Sequence, residues 1–239
     1  MIIGSKLYYL EEVDSTNDYA KRIAPTAPDG AVVLAEMQTD GKGRQNRKWY
    51  SPKGGLYLSV ITNPENASLM PILAGVAICE TFNNYHILLG LKWPNDVMLN
   101  EKKVAGVLIE FIDTRLILGI GINLNITSFP EEIRDRATSI FLETKKKFDK
   151  MSIYRTLCLE LNQYYTMLND KKDSTILQKW RNYSVIFGRN VLVELPDRKI
   201  TGRAIDIAND GSLILMLPEG KVERIFAGEC QVIKTQPQW

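Results

Sequence analysis

The chain has 239 residues, enough for one large domain or one domain plus a small appendage. Hydrophobic residues make up 45% and charged residues 24%, the proportions of a folded protein. The 30 Lys and Arg against 28 Asp and Glu give a net charge of only +2, so the broad basic surface that binds duplex nucleic acid is not expected. The three cysteines, Cys79, Cys158 and Cys230, lie far apart without CxxC spacing, which argues against a disulfide framework or a zinc site.

The first three quarters of the chain alternate strand and helix patterns. Runs rich in Val, Ile, Leu and Tyr predict strands at Leu7–Val13, Ala31–Met37, Gly55–Asn63, Leu89–Trp93, Lys103–Asp113 and Arg115–Asn125. Helices are predicted at Asp14–Ala24, around the apolar repeat Leu69, Ile72, Leu73 and Val76, at Lys150–Leu168 and at Ser174–Tyr183. The last two strands before the long helix are almost contiguous, so they form a hairpin and the sheet is mixed or antiparallel, not doubly wound.

From about Gly188 the pattern changes to short strands separated by turns. Strands are predicted at Asn190–Leu195, Lys199–Ala208, Ser212–Leu217, Lys221–Phe226 and Cys230–Ile233. Gly211 and Gly220 each end a turn sequence, because glycine supplies a positive φ without steric cost. The predicted fold is therefore α+β: a mixed, mainly antiparallel sheet flanked by helices over residues 1–186, and a small C-terminal β-barrel over residues 187–239.

No apolar run approaches the roughly 18 residues that a membrane span needs. The segment Met1–Leu10 lacks the basic-then-apolar pattern of a signal peptide. The sequence predicts a cytoplasmic protein with no membrane association.

The segment Gln38–Trp49 follows a predicted strand and combines two glycines, four basic residues and an aromatic. Glycines let backbone N–H groups form an anion-binding concavity, and Lys and Arg supply charge for a polyphosphate. Taken alone, such a loop is more often a solvated turn. The pattern GxxxxGK[ST] is absent, which disfavours a P-loop nucleotidase.

Four further segments contain residues that could bind a ligand or take part in a reaction, and each segment also has a purely structural interpretation. Lys92–Val97 ends a strand at Pro94 and predicts an Asx-type turn, in which Asn95 and Asp96 either cap the backbone or face a ligand. Lys102–Glu110 places Lys103 at the entrance of an apolar strand, either as an exposed edge lysine or in a site beside Gly106.

Alternate glycines and asparagines fill Gly119–Asn125, so Asn123 and Asn125 share one predicted face with Gly119 and Gly121, which suits a flat heterocycle or a bulged strand. The segment Asp14–Asp18 contains Ser15, Thr16 and Asn17, and it predicts either a capping box or a small polar ligand at the helix N-terminus.

The order of these segments resembles the catalytic domain of biotin–protein ligases. That family shows an S-T-N segment, a Q-T-x-G-[RKH]-G-R-x-x-R-x-W-x-S-P loop, a K-W-P-N-D segment, a K-[ILV]-A-G-[ILV]-L segment and a G-[IL]-N strand, and all five occur here between Ser15 and Asn123. The resemblance implies a class II synthetase-like catalytic domain and an SH3-like barrel after it. Lys42 and Asn46 depart from the more familiar arginine or histidine and glycine, which concerns the loop more than the activity.

The resemblance also implies a reaction and its partners. It implies ATP-dependent formation of biotinyl-5′-AMP with Mg²⁺, followed by transfer of biotin to a lysine of a biotin carboxyl carrier domain. Family members are often dimers, so a homodimer is expected. The chain starts 14 residues before Ser15, so the monofunctional type without an N-terminal DNA-binding domain is expected.

The resemblance assigns expected roles to matching positions. Lys103, Arg44 and Asp96 are the expected catalytic residues, with Asp96 orienting or deprotonating the incoming lysine. The expected biotin contacts are Ser15, Thr16, Asn17, Gln38, Gly41, Arg44, Lys103 and Gly106. The expected ATP and adenylate contacts are Lys42, Gly43, Arg44, Arg47, Trp49, Asn95 and Asn123. No protein ligand for a metal is assigned.

Three alternatives remain open on the sequence. A lipoate–protein ligase has a similar fold and also forms an acyl-adenylate, whereas an octanoyl transferase would need a cysteine that these motifs lack. A repressor that senses biotinyl-adenylate would bind DNA in a salt-dependent way. A non-catalytic interaction module would leave the five motifs without a use.

Overall fold

The computed structural model describes residues 2–233, so the last six residues of the predicted C-terminal domain lie outside the described residues. The first sheet contains β1 Leu7–Val13, β2 Val32–Gln38, β3 Leu56–Thr62, β4 Gly90–Lys92, β5 Asp96–Leu99, β6 Lys102–Ile112 and β7 Arg115–Ile122. The helices are α1 Thr16–Ile23, α2 Met70–Asn83, α3 Ile140–Thr144, α4 Lys150–Asn169 and α5 Asp173–Tyr183. The second sheet contains β8 Asn190–Glu194, β9 Lys199–Ile207, β10 Leu213–Met216, β11 Val222–Ile225 and β12 Glu229–Val232.

The larger sheet has the strand order β1-β2-β3-β7-β6-β5-β4. Strands β1 and β2 are parallel, and every other neighbouring pair in this sheet is antiparallel. The β6–β7 hairpin closes where Ile112 pairs with Arg115, as its two-residue connection requires. The predicted mixed, mainly antiparallel sheet is therefore confirmed.

Helices cover the two faces of this sheet unequally. One face carries the main core, in which α2 packs between the sheet and helices α4 and α5. On the other face α1 covers a small cluster through Ala20 and Ala24, which contact Val33, Ile61 and Ile117. Strand β3 is buried along its whole length because both faces are covered there. Since α1 has only eight residues, part of its face of the sheet is left open.

The open part of that face has almost no side chains. Successive residues of β7 point to opposite faces, so Gly119 and Gly121 follow Ile117 on the α1 face. Gly106 on β6 pairs directly with Gly121, and Leu108 pairs with Gly119. The sequence thus builds a shallow glycine-lined floor beside the N-terminus of α1.

The C-terminal strands form an open sheet with the order β11-β10-β9-β8-β12, all antiparallel. The five strands of the predicted small barrel are confirmed, and within residues 2–233 its edge strands β11 and β12 do not pair with each other. Only residues 226–228 join these two edge strands, a span of at most about 14 Å. A flat five-stranded sheet would separate its edges by about 19 Å. The sheet is therefore strongly curled without closing.

Several local differences from the prediction have simple causes. Asp96 begins β5 and pairs with Lys92 in a tight hairpin, so the predicted turn at Asn95 and Asp96 is only partly correct. Strand β5 and helix α3 were not predicted because each has only four or five residues. The predicted turn glycines are confirmed, with φ of 81° at Gly211 and 82° at Gly220. The division of the chain between residues 186 and 187 stays a prediction.

Candidate active site

A cavity of about 440 Å³ lies over the glycine-lined floor. Its walls come from the N-terminus of α1, the loop between β2 and β3, the β4–β5 hairpin, residues 129–137 and the start of β12. Every predicted site residue except Gly41 lines this cavity. Gly41 is buried beside it, and a Cβ there would lie 2.4 Å from Ser51 Oγ. Predicted site residues that are up to 108 positions apart in the sequence, such as Ser15 and Asn123, therefore meet in one place.

The indole of Trp49 lies directly on the glycine floor. A Cβ added at Gly121 would lie 2.5 Å from Trp49 Nε1, and one added at Gly106 would lie 3.2 Å from Trp49 Cζ3. Trp49 Nε1 is buried without a hydrogen-bond partner. The flat indole fits against this floor because Gly106 and Gly121, which pair across β6 and β7, lack side chains. The indole N–H of Trp49 is available to a ligand.

Gly119 leaves room for a buried asparagine. A Cβ at Gly119 would lie 2.3 Å from Asn17 Oδ1 and 2.9 Å from Asn17 Cγ. Asn17 cannot easily move aside, because its amide binds Glu110 Oε2 at 2.7 Å and accepts a hydrogen bond from Ser59 Oγ at 2.6 Å.

We expect Gly119→Ala to destabilise the protein by about 1–3 kcal/mol, since overpacking of a filled interior typically costs this much. Asn17→Ala in the same chain should recover part of the loss, because the atoms that clash with the new methyl group are then gone. Urea unfolding of the two single variants and the double variant measures this. If the changes in the free energy of unfolding of the two single variants add up to that of the double variant, Asn17 is not the reason that position 119 needs a glycine.

The N-terminus of α1 is held by hydrogen bonds from three directions. Ser15 caps the helix by accepting from the backbone N–H of Asp18 at 3.4 Å, but the reciprocal half of the predicted capping box is wrong, because the backbone N–H of Ser15 donates to Asp14 Oδ1 at 2.7 Å. The backbone N–H of Thr16 donates to Gln38 Oε1 at 2.8 Å, and Gln38 Nε2 donates to Ser51 Oγ at 2.8 Å. These bonds fix the orientation of the Gln38 amide, with its oxygen towards α1.

The loop between β2 and β3 is folded back on itself. Gly43 N–H donates to the Arg47 carbonyl at 2.7 Å, and Trp49 N–H donates to the Gly41 carbonyl at 2.7 Å. Gln45 and Asn46 have φ of 54° and 58°, in the left-handed region that asparagine tolerates better than most residues. Asn46 therefore fulfils the conformational role of the glycine that the family motif often has at this position.

Charged side chains attach this loop to both sheets. Lys42 Nζ lies 2.5 Å from Asp18 Oδ2 on α1, and Arg47 forms an ion pair with Glu229 of β12. Arg44 Nη1 donates to the Gly228 carbonyl at 3.1 Å and to Asn95 Oδ1 at 3.4 Å. The C-terminal sheet is thus in direct contact with the loop.

Arg44 is a partly buried cation without a carboxylate in contact. Within residues 2–233 no Asp or Glu forms an ion pair with it, and its two hydrogen-bond acceptors are neutral. Burial lowers the pKa of its guanidinium from the usual value, and the more distant Asp96 only partly opposes this. A cation that is desolvated in this way favours a bound anion.

Two lysines share the partly buried carboxylate of Asp96, whose side chain is 15% exposed. Asp96 forms ion pairs with Lys103 Nζ and with Lys92 Nζ, the latter at 2.8 Å. Burial alone would raise the pKa of Asp96, but the two ammonium groups outweigh it and hold the pKa below the ordinary value. Lys103 Nζ also lies 5.2 Å from the centre of the Trp49 ring. Lys103 is thus held at the strand entrance, inside the site.

The two asparagines that follow β7 differ from the prediction. Strand β7 ends at Ile122, and Asn123 Nδ2 donates to the Thr138 carbonyl at 2.9 Å. Asn125 does not line the cavity, because its side chain binds the backbone of Phe148 through both its oxygen and its nitrogen. The predicted shared face of Asn123 and Asn125 is wrong, and only Asn123 remains at the site.

Some lining residues were not predicted from the sequence. They are Lys92, residues 129–137 with Arg136 among them, and Glu229, Cys230 and Gln231 of β12. Lys92 begins the K-W-P-N-D segment, in which only Asn95 and Asp96 were expected to have a role. The backbone N–H of Lys103 donates to the Arg136 carbonyl at 2.9 Å, and this hydrogen bond holds residues 129–137 next to the site. No periodicity or motif in the loop indicates this contact.

Two absences concern the described residues only. Within residues 2–233 no group of three or more His, Cys, Asp or Glu side chains is placed to hold a metal ion. Over the same residues, none of the helices combines the length and apolar character needed to cross a bilayer.

Comparisons with known proteins agree with this architecture. Residues 9–126 match the model of the biotin/lipoate A/B protein ligase family, and residues 186–232 match that of the biotin protein ligase C terminal domain. A bifunctional ligase/repressor BirA from Bacillus spizizenii is 30% identical over 97% of this chain and 75% of its own length. A biotin--[acetyl-CoA-carboxylase] ligase from Mycobacterium tuberculosis is 33% identical over 94% of this chain and 88% of its own length.

A solved structure extends the match to the whole fold. The biotin protein ligase from Aquifex aeolicus in complex with biotin and ATP superposes with a TM-score of 0.89 and 34% identity, covering 97% of this chain and all of that chain. The fold and these matches define a protein of the biotin/lipoate ligase class. The chain belongs to the biotin/lipoate A/B protein ligase family and carries the C-terminal domain of the biotin protein ligases.

Proposed function

We propose that this chain is a biotin–protein ligase that makes biotinyl-5′-AMP from biotin and ATP and then transfers the biotin to a lysine of a biotin carboxyl carrier domain. The observation that carries the proposal is the convergence of Lys103 and Arg44 on one cavity of about 440 Å³. Both substrates are anions, and these two cations face the space between the glycine floor and the loop.

The vitamin's ring system fits the end of the cavity next to α1. Thr16, Asn17 and Gln38 are polar side chains already ordered by their own hydrogen bonds, so their donors and acceptors are fixed before a ligand arrives. Ser15 and the backbone of Gly106 complete this end, and Gly41 allows the loop to approach it closely. In this proposal the biotin head lies here and its carboxylate points towards Lys103.

The nucleotide lies at the other end. Trp49 would position adenine together with Asn123, which leaves its carboxamide oxygen available because its nitrogen binds Thr138. Lys42, Gly43, Arg44 and Arg47 would lie along the phosphates, with Asn95 beside Arg44. The relative from Aquifex aeolicus that was solved with biotin and ATP supports a common cavity for the two substrates.

The first step forms a bond between a carboxylate oxygen of biotin and the α-phosphorus, and pyrophosphate leaves. Negative charge grows on the α-phosphoryl oxygens, so preorganised donors there stabilise the transition state more than the ground state. In this proposal Lys103 would contact both the carboxylate and the α-phosphate. Arg44 supplies a planar guanidinium for the phosphate oxygens.

In the second step the acceptor ammonium group first loses a proton to water, the neutral amine then attacks the acyl carbon, the bond to the phosphate oxygen breaks, and AMP leaves while the second proton passes to the leaving phosphate or to water. Asp96 is held in its ionised form by Lys103 and Lys92, which makes it a weak base. Orienting the incoming ammonium group electrostatically therefore fits Asp96 better than deprotonating it. In this proposal Mg²⁺ would arrive with ATP and would be held mainly by its phosphates and by water, as is usual for this ion.

The partners are proposed from the relatives. Curated relatives named as biotin--[acetyl-CoA-carboxylase] ligases support a carboxylase carrier domain as the acceptor. A homodimer and a cytoplasmic location are proposed only from the family resemblance of the sequence, and no nucleic acid or membrane partner is proposed.

The decisive experiment measures which acid drives ATP–pyrophosphate exchange. We expect exchange with biotin and much less with lipoate, followed by a mass increase of one biotinyl group on a carrier domain. A carrier variant with its acceptor lysine replaced by arginine is the control and should gain no mass. Exchange with lipoate alone would replace this proposal by a lipoate–protein ligase, and a failure to bind ATP would favour a non-catalytic module.

A further inference from the structure

Four polar side chains run from the cavity floor into the protein: Thr16, Ser59, Asn17 and Glu110, here called the polar row. Ser59 Oγ lies 2.8 Å from Thr16 Oγ1 and 2.6 Å from Asn17 Oδ1, and Asn17 Nδ2 lies 2.7 Å from Glu110 Oε2. Thr16 and Asn17 line the cavity, whereas Ser59 is fully buried beneath them. The row ends where Lys21 Nζ binds Glu110 Oε1 at 2.5 Å.

When Glu110 is ionised, only one assignment of donors and acceptors gives every hydrogen bond of the polar row a hydrogen. A carboxylate only accepts, so the Asn17 amide must present its nitrogen to Glu110 and its oxygen to Ser59. Ser59 has a single hydrogen, which it then donates to Asn17. The short contact between Ser59 and Thr16 therefore needs the Thr16 hydrogen.

The opposite direction is chemically complete except at Glu110. Asn17 would turn its nitrogen to Ser59, Ser59 would donate to Thr16, and Thr16 would donate to Gln38 Oε1, 3.1 Å away. The Asn17 oxygen would then face a carboxylate oxygen at 2.7 Å, two acceptors without a hydrogen between them. The charge of Glu110 alone excludes this arrangement.

The direction of the row decides what the cavity floor offers to a ligand. In the direction that an ionised Glu110 requires, Thr16 donates to Ser59 and not to Gln38, so both lone pairs of its oxygen and the second lone pair of Gln38 Oε1 are free. In the reverse direction Thr16 accepts from Ser59 and donates to Gln38, which uses one lone pair of Thr16 and the remaining one of Gln38. The direction set by the ionised Glu110 suits a ligand that donates N–H groups.

We propose that Glu110 is a positioning residue that fixes the direction of the polar row and so makes the floor of the biotin end accept hydrogen bonds from the N–H groups of a cyclic urea. The inference rests on the proposed function for the identity of the ligand. Glu110 acts through Asn17, Ser59 and Thr16, and it does not line the cavity.

Glu110→Gln tests the proposal without removing an atom from the packing. Lys21 requires an oxygen, so the new amide turns its nitrogen to Asn17, and the row reverses with every group still paired. We expect the KM for biotin in ATP–pyrophosphate exchange to rise about tenfold, the effect of one mismatched hydrogen bond. The kcat and the KM for ATP should stay within about twofold, and Tm should change by no more than about 4 °C.

A second substitution provides the matched control. Lys21→Met removes the cation that orients the new amide, so Lys21→Met with Glu110→Gln lets the amide oxygen face Asn17 again. We expect this double variant to bind biotin more tightly than Glu110→Gln alone, with Lys21→Met as its reference. Unchanged KM for biotin in Glu110→Gln would overturn the proposal, and so would a double variant that binds no better than the single one.

Calorimetric titration with biotin alone separates this inference from the proposed function. If the wild-type chain binds biotin but shows no exchange, the proposed function fails, whereas the comparison of variants still tests the polar row. If exchange occurs and Glu110→Gln binds biotin as the wild type does, the polar row fails and the proposed function stands.

Discussion

Replacing Lys103 by alanine is expected to reduce adenylate formation about 10²–10³-fold, because a preorganised donor at growing charge is worth roughly 3–4 kcal/mol. The ammonium group is already in place, held by Asp96 and 5.2 Å from the Trp49 ring. The measurement is the rate of biotin-dependent ATP–pyrophosphate exchange at saturating substrates. Equal rates in variant and wild type would remove Lys103 from the mechanism.

The same substitution has a structural cost that the sequence did not indicate. From the sequence alone Lys103→Ala is expected to leave thermal unfolding nearly unchanged, but Lys103 is one of two partners of the partly buried Asp96 carboxylate. Lys92 remains, so we expect a loss of about 1 kcal/mol, or a fall in Tm of about 2–4 °C.

Lys92→Ala is the matched control for Lys103→Ala, since it removes the other partner of the same carboxylate. It should lower Tm by a similar amount and reduce exchange by less than about tenfold. Equal rate losses in the two variants would mean that Asp96, and not the Lys103 ammonium itself, carries the effect.

The fold was largely predictable because local patterns and packing agree. Strand β1 begins and ends where the sequence predicts, at Leu7 and Val13, because a run of aromatic and branched residues is bounded by a helix cap at Ser15. Strand β5 was missed because its four residues gain their strand conformation only by pairing with β4 and β6. The five C-terminal strands were predicted, but strand patterns do not specify which edges pair, so the unpaired edges of β11 and β12 could not be predicted.

The site was predictable where its residues lie in compact motifs. The loop 38–49, the residues around Lys103 and the start of α1 each carry a local signal, and the structure brings them to one cavity. The contacts of Arg44 with Gly228 and of Arg47 with Glu229 join residues more than 180 positions apart. No local pattern encodes such contacts, and the same holds for Arg136, whose loop is placed by the backbone of Lys103.

The polar row shows a third kind of limit. Glu110 reads as an ordinary charged residue near the end of an apolar strand, and Asn17 as part of a helix cap. Their relation depends on the register between β6 and β7, which puts Gly119 opposite Leu108 and leaves space above it for Asn17. Only the three-dimensional arrangement shows which group donates and which accepts.

Arg44→Ala is expected to slow exchange about as much as Lys103→Ala does. Unlike Lys103→Ala, it should not lower the unfolding temperature. Exchange should fall about 10²-fold, because the guanidinium supplies charge-assisted hydrogen bonds to the phosphate oxygens. The unfolding temperature should not fall, since burial already lowers the pKa of this cation and no carboxylate of residues 2–233 is paired with it. The folded state bears a desolvation cost that the bound nucleotide offsets.

Arg47→Ala gives the contrasting result that makes the test specific. Arg47 is more exposed and is already paired with Glu229, so its loss should reduce exchange less and should not raise Tm. Arg44→Lys should recover only part of the rate, because an ammonium group keeps the charge but not the planar pair of donors. The exchange rates and the melting temperatures of the three variants, with and without ATP, are the measurements. If Arg44→Ala melts several degrees below the wild type and keeps its exchange rate, Arg44 is a structural link to Gly228 and not the anion-binding group of the site.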